Sequence, residues 1–204
     1  MGRTARFNDQ HFITAAQAIL AAEGLPGLTM QKIAGEAGAT TGSVYHRFDS
    51  IDGIAALAWI EAAEAFQRGF QLALLRPAAA GLYDAVLAGA LYSPEWSRQN
   101  LTQALVLLRF DATEAGGILR ADPQLSGRIA RLGSGQRRYS LALLKRFGFA
   151  ARAQRGERLQ LLQFLTADMP LAAAKPHLKN NRKPPAYVDE FIRTTVEGFR
   201  GELR

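Results

Sequence analysis

Between Leu28 and Asp52 the chain reads LTMQKIAGEAGATTGSVYHRFDSID, which parses as two short helices joined by a tight turn. Thr29 suits the N-cap of the first helix, where a hydroxyl accepts one of the unpaired backbone N–H groups. Ile33, Ala34 and Ala37 then recur at three- and four-residue spacing and give a small apolar face. Gly38 falls where the chain must leave that helix, and glycine adopts a positive φ at low cost. Thr40 is a second N-cap, followed by a short helix through Tyr45 and His46. Helices this short do not persist alone in water. Their small apolar residues, Ala34, Ala37, Ala39 and Val44, suit close packing against a third helix, the arrangement of a helix-turn-helix.

Taken together, Gly38-Ala39-Thr40-Thr41-Gly42-Ser43-Val44-Tyr45-His46-Arg47-Phe48, preceded by Thr29-x-x-x-Ile33-Ala34, resembles the N-terminal DNA-binding domain of the TetR family of transcriptional repressors. That pattern runs from a turn glycine and a small apolar residue to a Ser/Thr cap. A short recognition helix with a Tyr near its end follows, then an aromatic/basic pair and a Phe. The likeness spans Phe7 to Ile54. Two positions depart from it: the family usually has His where this chain has Arg47, and often a phosphate-contacting Lys where it has Ile51. The resemblance implies an all-α protein, with a three-helix helix-turn-helix domain over residues 1–50. A long helix would join it to a helical ligand-binding and dimerisation domain over 51–204. It implies a ligand-responsive regulator, a repressor before an activator. Such a protein binds a palindromic DNA operator as a homodimer and is released by a small molecule in the C-terminal domain. The alternative is a helical small-molecule-binding or dimerisation protein whose N-terminal module has lost DNA binding; Ile51 and the charge balance of the N-terminal residues favour it.

On this reading Thr41, Gly42 and Ser43 occupy the first turn of the recognition helix, the part that meets base edges in a major groove. Gly42 lets the backbone come close but costs about 1 kcal/mol against alanine in a helix interior. Thr40, Tyr45, His46 and Arg47 suit phosphate contacts, which position rather than specify. With Thr29 they complete the candidate DNA-contacting set. The ordinary alternatives are a half-buried surface aromatic for Tyr45 and a solvated imidazole for His46. Arg3 and Arg6, ahead of the first helix, form either a solvated tail or an arm touching phosphates or the minor groove.

Charge alone points to the other half of the molecule. Residues 1–50 carry four basic and four acidic side chains, whereas residues 120–183 carry fourteen basic and three acidic ones. A basic face is the usual footprint of a nucleic-acid binder. The excess in 120–183 is read three ways: solvated helix faces, attraction for an acidic ligand, or long-range attraction to DNA. The chain has no cysteine, and its three histidines, His11, His46 and His177, lie far apart, so a zinc cluster is not expected. Neither a long apolar run nor a secretory h-region appears, which fits a cytoplasmic protein away from membranes. No nucleophile–base motif, phosphate loop or metal-ligand spacing suggests an enzyme, and no cofactor is expected.

The rest of the chain reads as helices. Asn8 or Asp9 caps the first, with Phe12, Ala16, Ile19 and Leu20 as its buried stripe. Ser50 caps a long helix to about Leu75 that Pro77 stops. Further helices are expected at 80–92, 95–114, 123–148, 152–169 and 186–202. Pro170 and the segment Lys175 to Pro185 are expected to form a basic, proline-bounded loop. Phe66, Phe70, Trp96, Leu105, Arg109, Tyr139 and Leu143 are either plain core or the lining of a largely apolar effector cavity between helices. Arg109 would then need a carboxylate such as Asp111 or Glu114, or an anionic ligand. Helices near 152–169 and 186–202 resemble the pair that meets its symmetry mate in this family. Their apolar set, Leu159, Leu162, Phe164, Leu165, Val188, Phe191, Ile192, Thr195 and Phe199, is wider than one buried stripe requires.

Overall fold

The computed structural model describes residues 8–76, 79–110, 123–149 and 152–203. Every regular element among them is helical: α1 (Asp9–Glu23), α2 (Met30–Glu36), α3 (Thr41–Tyr45), α4 (Ile51–Leu74), α5 (Leu82–Gln99), α6 (Leu101–Arg109), α7 (Pro123–Arg146), α8 (Arg152–Gln163), α9 (Met169–Lys179) and α10 (Tyr187–Gly198). A π turn, Phe164–Asp168, links α8 to α9. Two compact units are present, Met1–Ala63 with Thr102–Ile129, and Glu64–Leu101 with Ala130–Arg204.

The first unit is built on local signals in the sequence. Asn8 caps α1 and forms a reciprocal capping box with His11. Thr29 and Thr40 cap α2 and α3 by accepting from Lys32 N and Ser43 N. Ser50 does the same for α4, its Oγ accepting from Gly53 N at 3.0 Å. Gly38 takes φ +68°, so the turn between α2 and α3 uses the left-handed region that favours glycine. Phe12 on α1 is fully buried and meets Phe48 edge to face at 6.1 Å. Ile33, Val44 and Ile54 are also wholly buried, and Gln17 donates to the Ala58 carbonyl at 2.9 Å.

In the second unit a core of Phe70, Leu74, Val86, Ala90, Leu143, Leu165, Val188, Ile192 and Val196 is sealed among the end of α4, α5, α7, α10 and the π turn. Two expected helix boundaries are overturned here. The break expected between residues 92 and 95 is absent; Pro94 lies inside α5, buried, and the chain turns instead at Asn100. Nor does Pro170 end a helix, because the helical path continues through the π turn and α9 to Lys179, with Pro176 inside α9. The expected loop shrinks to the segment between α9 and α10. A proline lacks an N–H and crowds the carbonyl four residues earlier. The π turn widens the spiral just before Pro170, where that crowding would fall. Gly148, by contrast, ends α7 as anticipated, with φ +86°. Pro77 and Asp122 lie outside the described residues.

Tyr92 shows how tightly the aromatic layer is packed. Its hydroxyl lies 1.9 Å from where a Cβ on Gly69 would stand, so only glycine lets the ring in. Burial, and secondarily the charge of Glu95, push the Tyr92 pKa up to about 12. A raised folded-state value contributes stability that is complete below the ordinary value of 10.0 and lost as pH rises through about 12. Absorbance titration should therefore find one tyrosine ionising about two units late. Unfolding should become easier across that interval, and less steeply in Tyr92→Phe.

Candidate functional site

α3 is short because its apolar residues allow only one buried anchor. Val44 is fully buried, whereas Thr40, Gly42, Tyr45, His46 and Arg47 are exposed and Thr41 and Ser43 half-buried. Tyr45 is 60% exposed, a large ring with little to cover it inside its own chain. The outward surface of α3 and its flanks is thus the set singled out from sequence, and Thr29 is exposed at the start of α2. Thr40 Oγ1 and Ser43 Oγ hydrogen-bond to each other at 2.8 Å, so both hydroxyls are already engaged in capping α3. Arg47 Nη1 donates to Asp9 Oδ1 at 2.6 Å and ties the end of the motif to the start of α1. Lys32 pairs with Glu23 across the α1–α2 turn. These two pairs neutralise Asp9 and Glu23, two of the four carboxylates responsible for the balanced charge of residues 1–50. Arg3 and Arg6 lie outside the described residues.

Gly42, like Gly35 and unlike Gly38, has no left-handed φ, and an added Cβ would meet nothing within 4 Å. Among the described residues neither turn geometry nor packing requires glycine at position 42.

The residues expected to line an effector cavity do not fall in one unit. Phe66, Phe70, Trp96, Tyr139 and Leu143 belong to the second, while Leu105 and Arg109 belong to the first. Phe66 is the hub of an aromatic cluster, with Trp96 at 5.2 Å, Tyr92 at 5.4 Å and Phe70 at 6.1 Å between ring centroids. Tyr139 and Leu143 are buried in the same core as Phe70. Leu105 is buried, and Arg109, half-buried, donates to the Ala22 carbonyl at 2.8 Å. That carbonyl, at the end of α1, is a partner the sequence did not suggest; Asp111 and Glu114 lie outside the described residues. A cavity of about 380 Å³ in the second unit is lined by Leu91, Glu95, Arg98, Gln99, Asp189 and Arg193, none of them anticipated. Arg98 and Asp189 pair across it at 2.7 Å. Pairing between helices distant in sequence carries no local signal, which is why the sequence did not expose it.

Known proteins give the same picture. Residues 12–58 match the family model described as bacterial regulatory proteins, tetR family. No curated protein sequence matches the chain. Among solved structures, a putative tetR family transcription regulator from Shewanella sp. PV-4 superposes with a TM-score of 0.65 at 16% identity, over 94% of this chain and 96% of that one. The transcriptional regulator FadR from Bacillus subtilis, solved in complex with stearoyl-CoA, superposes with a TM-score of 0.63 at 14% identity, covering 93% and 96%. A putative TetR-family transcriptional regulator from Rhodococcus sp. does so with 0.63 at 14%, covering 96% and 97%. Residues 12–58 are thus similar to the bacterial regulatory proteins of the tetR family, and the fold of the chain is that of solved structures described as TetR-family transcription regulators.

Proposed function

We propose that this chain is a ligand-responsive transcriptional repressor of the cytoplasm, binding a palindromic operator as a homodimer through α3 and its flanks. The supporting observation is the α3 surface. It is a capped, outward-facing helical turn whose exposed residues, Thr40, Gly42, Tyr45, His46 and Arg47, have the size and polarity a major groove accepts. Thr29, Thr41 and Ser43 complete the contact surface. Arg47 exchanges Asp9 for a phosphate on binding, while Gly42 admits the DNA backbone or a base edge at close range.

The effector is a largely apolar small molecule, taken up by the second unit around Phe66, Phe70, Trp96, Tyr139 and Leu143. The stearoyl-CoA held by the FadR structure supports an effector with a long apolar part. Such a ligand releases DNA only through its different affinity for the bound and free conformations. The test is a gel shift on the DNA flanking the chain's own gene, against a random duplex, across salt. Equal affinity for both would remove the repressor reading and leave the alternative, a helical ligand-binding protein without operator recognition.

One substitution separates stability from function. Gly42→Ala should stabilise α3 by up to about 1 kcal/mol, since the added methyl meets nothing and alanine favours the helix. The same methyl should weaken operator binding at least several-fold. Thermal melting and the gel shift measure the two halves; a variant that melts higher and binds as wild type would show that Gly42 faces no DNA.

A further inference from the structure

α7 carries six cations, Arg128, Arg131, Arg137, Arg138, Lys145 and Arg146, and no carboxylate. Part of this has a local explanation. Lys145 and Arg146 sit in the last turn, where cations complement the helix dipole. Arg146 also donates to the Leu75 and Arg76 carbonyls. Arg131, Arg137 and Arg138 lie in mid-helix and gain nothing from the dipole. Arg138 rests over the Tyr139 ring, but Arg131, Arg137 and Lys145 are exposed and meet no carboxylate among the described residues. An ordinary solvated helix face mixes signs at three- and four-residue spacing. This one does not.

The geometry is regular. Seven-residue steps put Arg131, Arg138 and Lys145 along one line of about 21 Å, with Arg137 to one side. The other exposed positions of this face are small: Ala130, Gly133, Ser134 and Ala142. Gly133 has no left-handed φ, and an added Cβ would meet nothing within 4 Å. A helix-interior glycine costs about 1 kcal/mol against alanine, and nothing among the described residues accounts for it here. A face of small residues edged with guanidinium groups that meet no carboxylate among the described residues suits phosphates approaching closely, each guanidinium offering a fork of donors. A membrane-surface helix would expose large apolar residues among its cations, whereas Leu141, which lies among these, is half-buried.

We propose that this face of α7 docks the sugar-phosphate backbone of double-stranded DNA without reading its sequence. The contact is additional to the helix-turn-helix and does not require α3 to recognise an operator. The choice of DNA as the polyanion rests on the function proposed above, residues 12–58 being similar to the bacterial regulatory proteins of the tetR family.

The experiment measures binding of the full chain to a fluorescent duplex of random sequence across a salt series, with Arg131→Gln/Arg137→Gln/Lys145→Gln beside wild type. Three lost phosphate contacts should make the slope of log affinity against log salt shallower by about 2.7. Arg131→Lys/Arg137→Lys should keep the wild-type slope. Gly133→Glu, which fits without a clash, should weaken random-duplex binding through bulk and charge. Tyr45→Ala should leave the α7-dependent part of the slope in place. A triple variant that melts as wild type and keeps the wild-type slope overturns the proposal. So does a triple variant that loses binding to anionic phospholipid vesicles while its duplex binding is unchanged. Failure of operator recognition would show differently, as equal affinity for flanking and random DNA with the α7-dependent slope intact.

Discussion

Phe12→Ala is expected to destabilise the N-terminal unit by about 3–5 kcal/mol, the range for emptying a fully buried phenylalanine site. The ring lies edge-on to Phe48, so the substitution also removes an aromatic pair worth roughly 0.5–1.5 kcal/mol. α2 and α3, seven and five residues long, have no stability of their own and persist only by packing, α2 on α1 and α3 on α2. Loss of the platform therefore removes α3 as a folded surface, although Phe12 lies outside the set proposed to touch DNA. Circular dichroism should show an N-terminal transition lowered by more than about 10 °C, and gel shifts should show binding lost at temperatures where wild type binds. Wild-type melting would mean that Phe12 is not the keystone its burial indicates.

The motif was legible in advance because its determinants are local. Asn8, Thr29, Thr40 and Ser50 cap helices through hydrogen bonds spanning three residues, and Gly38 turns the chain by its own φ. Signals of that range are written in consecutive residues. The prolines of the second unit are a different matter. Pro94 is a helix breaker by intrinsic propensity, yet α5 packs against α9, α10 and the π turn, and that burial outweighs one missing hydrogen bond. The π turn ahead of Pro170 leaves no trace in apolar periodicity, so the continuous path from α8 to α9 could not be foreseen. The candidate effector residues were harder still. Aromatic spacing does not distinguish a filled core from a cavity wall, and Leu105 and Arg109 fold with the N-terminal helices, Arg109 reaching a backbone carbonyl of α1.

The apolar width of the last helices resolves into two sides. Leu162, Leu165, Val188 and Ile192 are buried within the chain, while Phe164 and Phe191 are 41% and 61% exposed. Leu171 and Tyr187, not singled out from sequence for this role, are exposed to a similar degree. Tyr187 holds Phe191 at 5.3 Å on one side and His177 at 5.8 Å on the other, so these three rings form a connected strip, while Phe164 meets Phe199 at 6.4 Å. Exposed aromatic and aliphatic side chains in such a strip mark an association surface, and we propose that a second copy of the chain covers it. A twofold interface counts each side chain twice. Phe191→Asp would therefore bury two carboxylates where two rings had been. Dimer dissociation should become at least about 100-fold easier, about 3 kcal/mol, while Val188, Ile192 and Val196 on the buried side of α10 keep the protomer folded. Sedimentation should find a monomer at concentrations where wild type is dimeric. Operator affinity should fall with it, because a monomer presents one recognition helix to a site of two half-sites. A Phe191→Asp chain that sediments and binds operator as wild type would place the interface elsewhere.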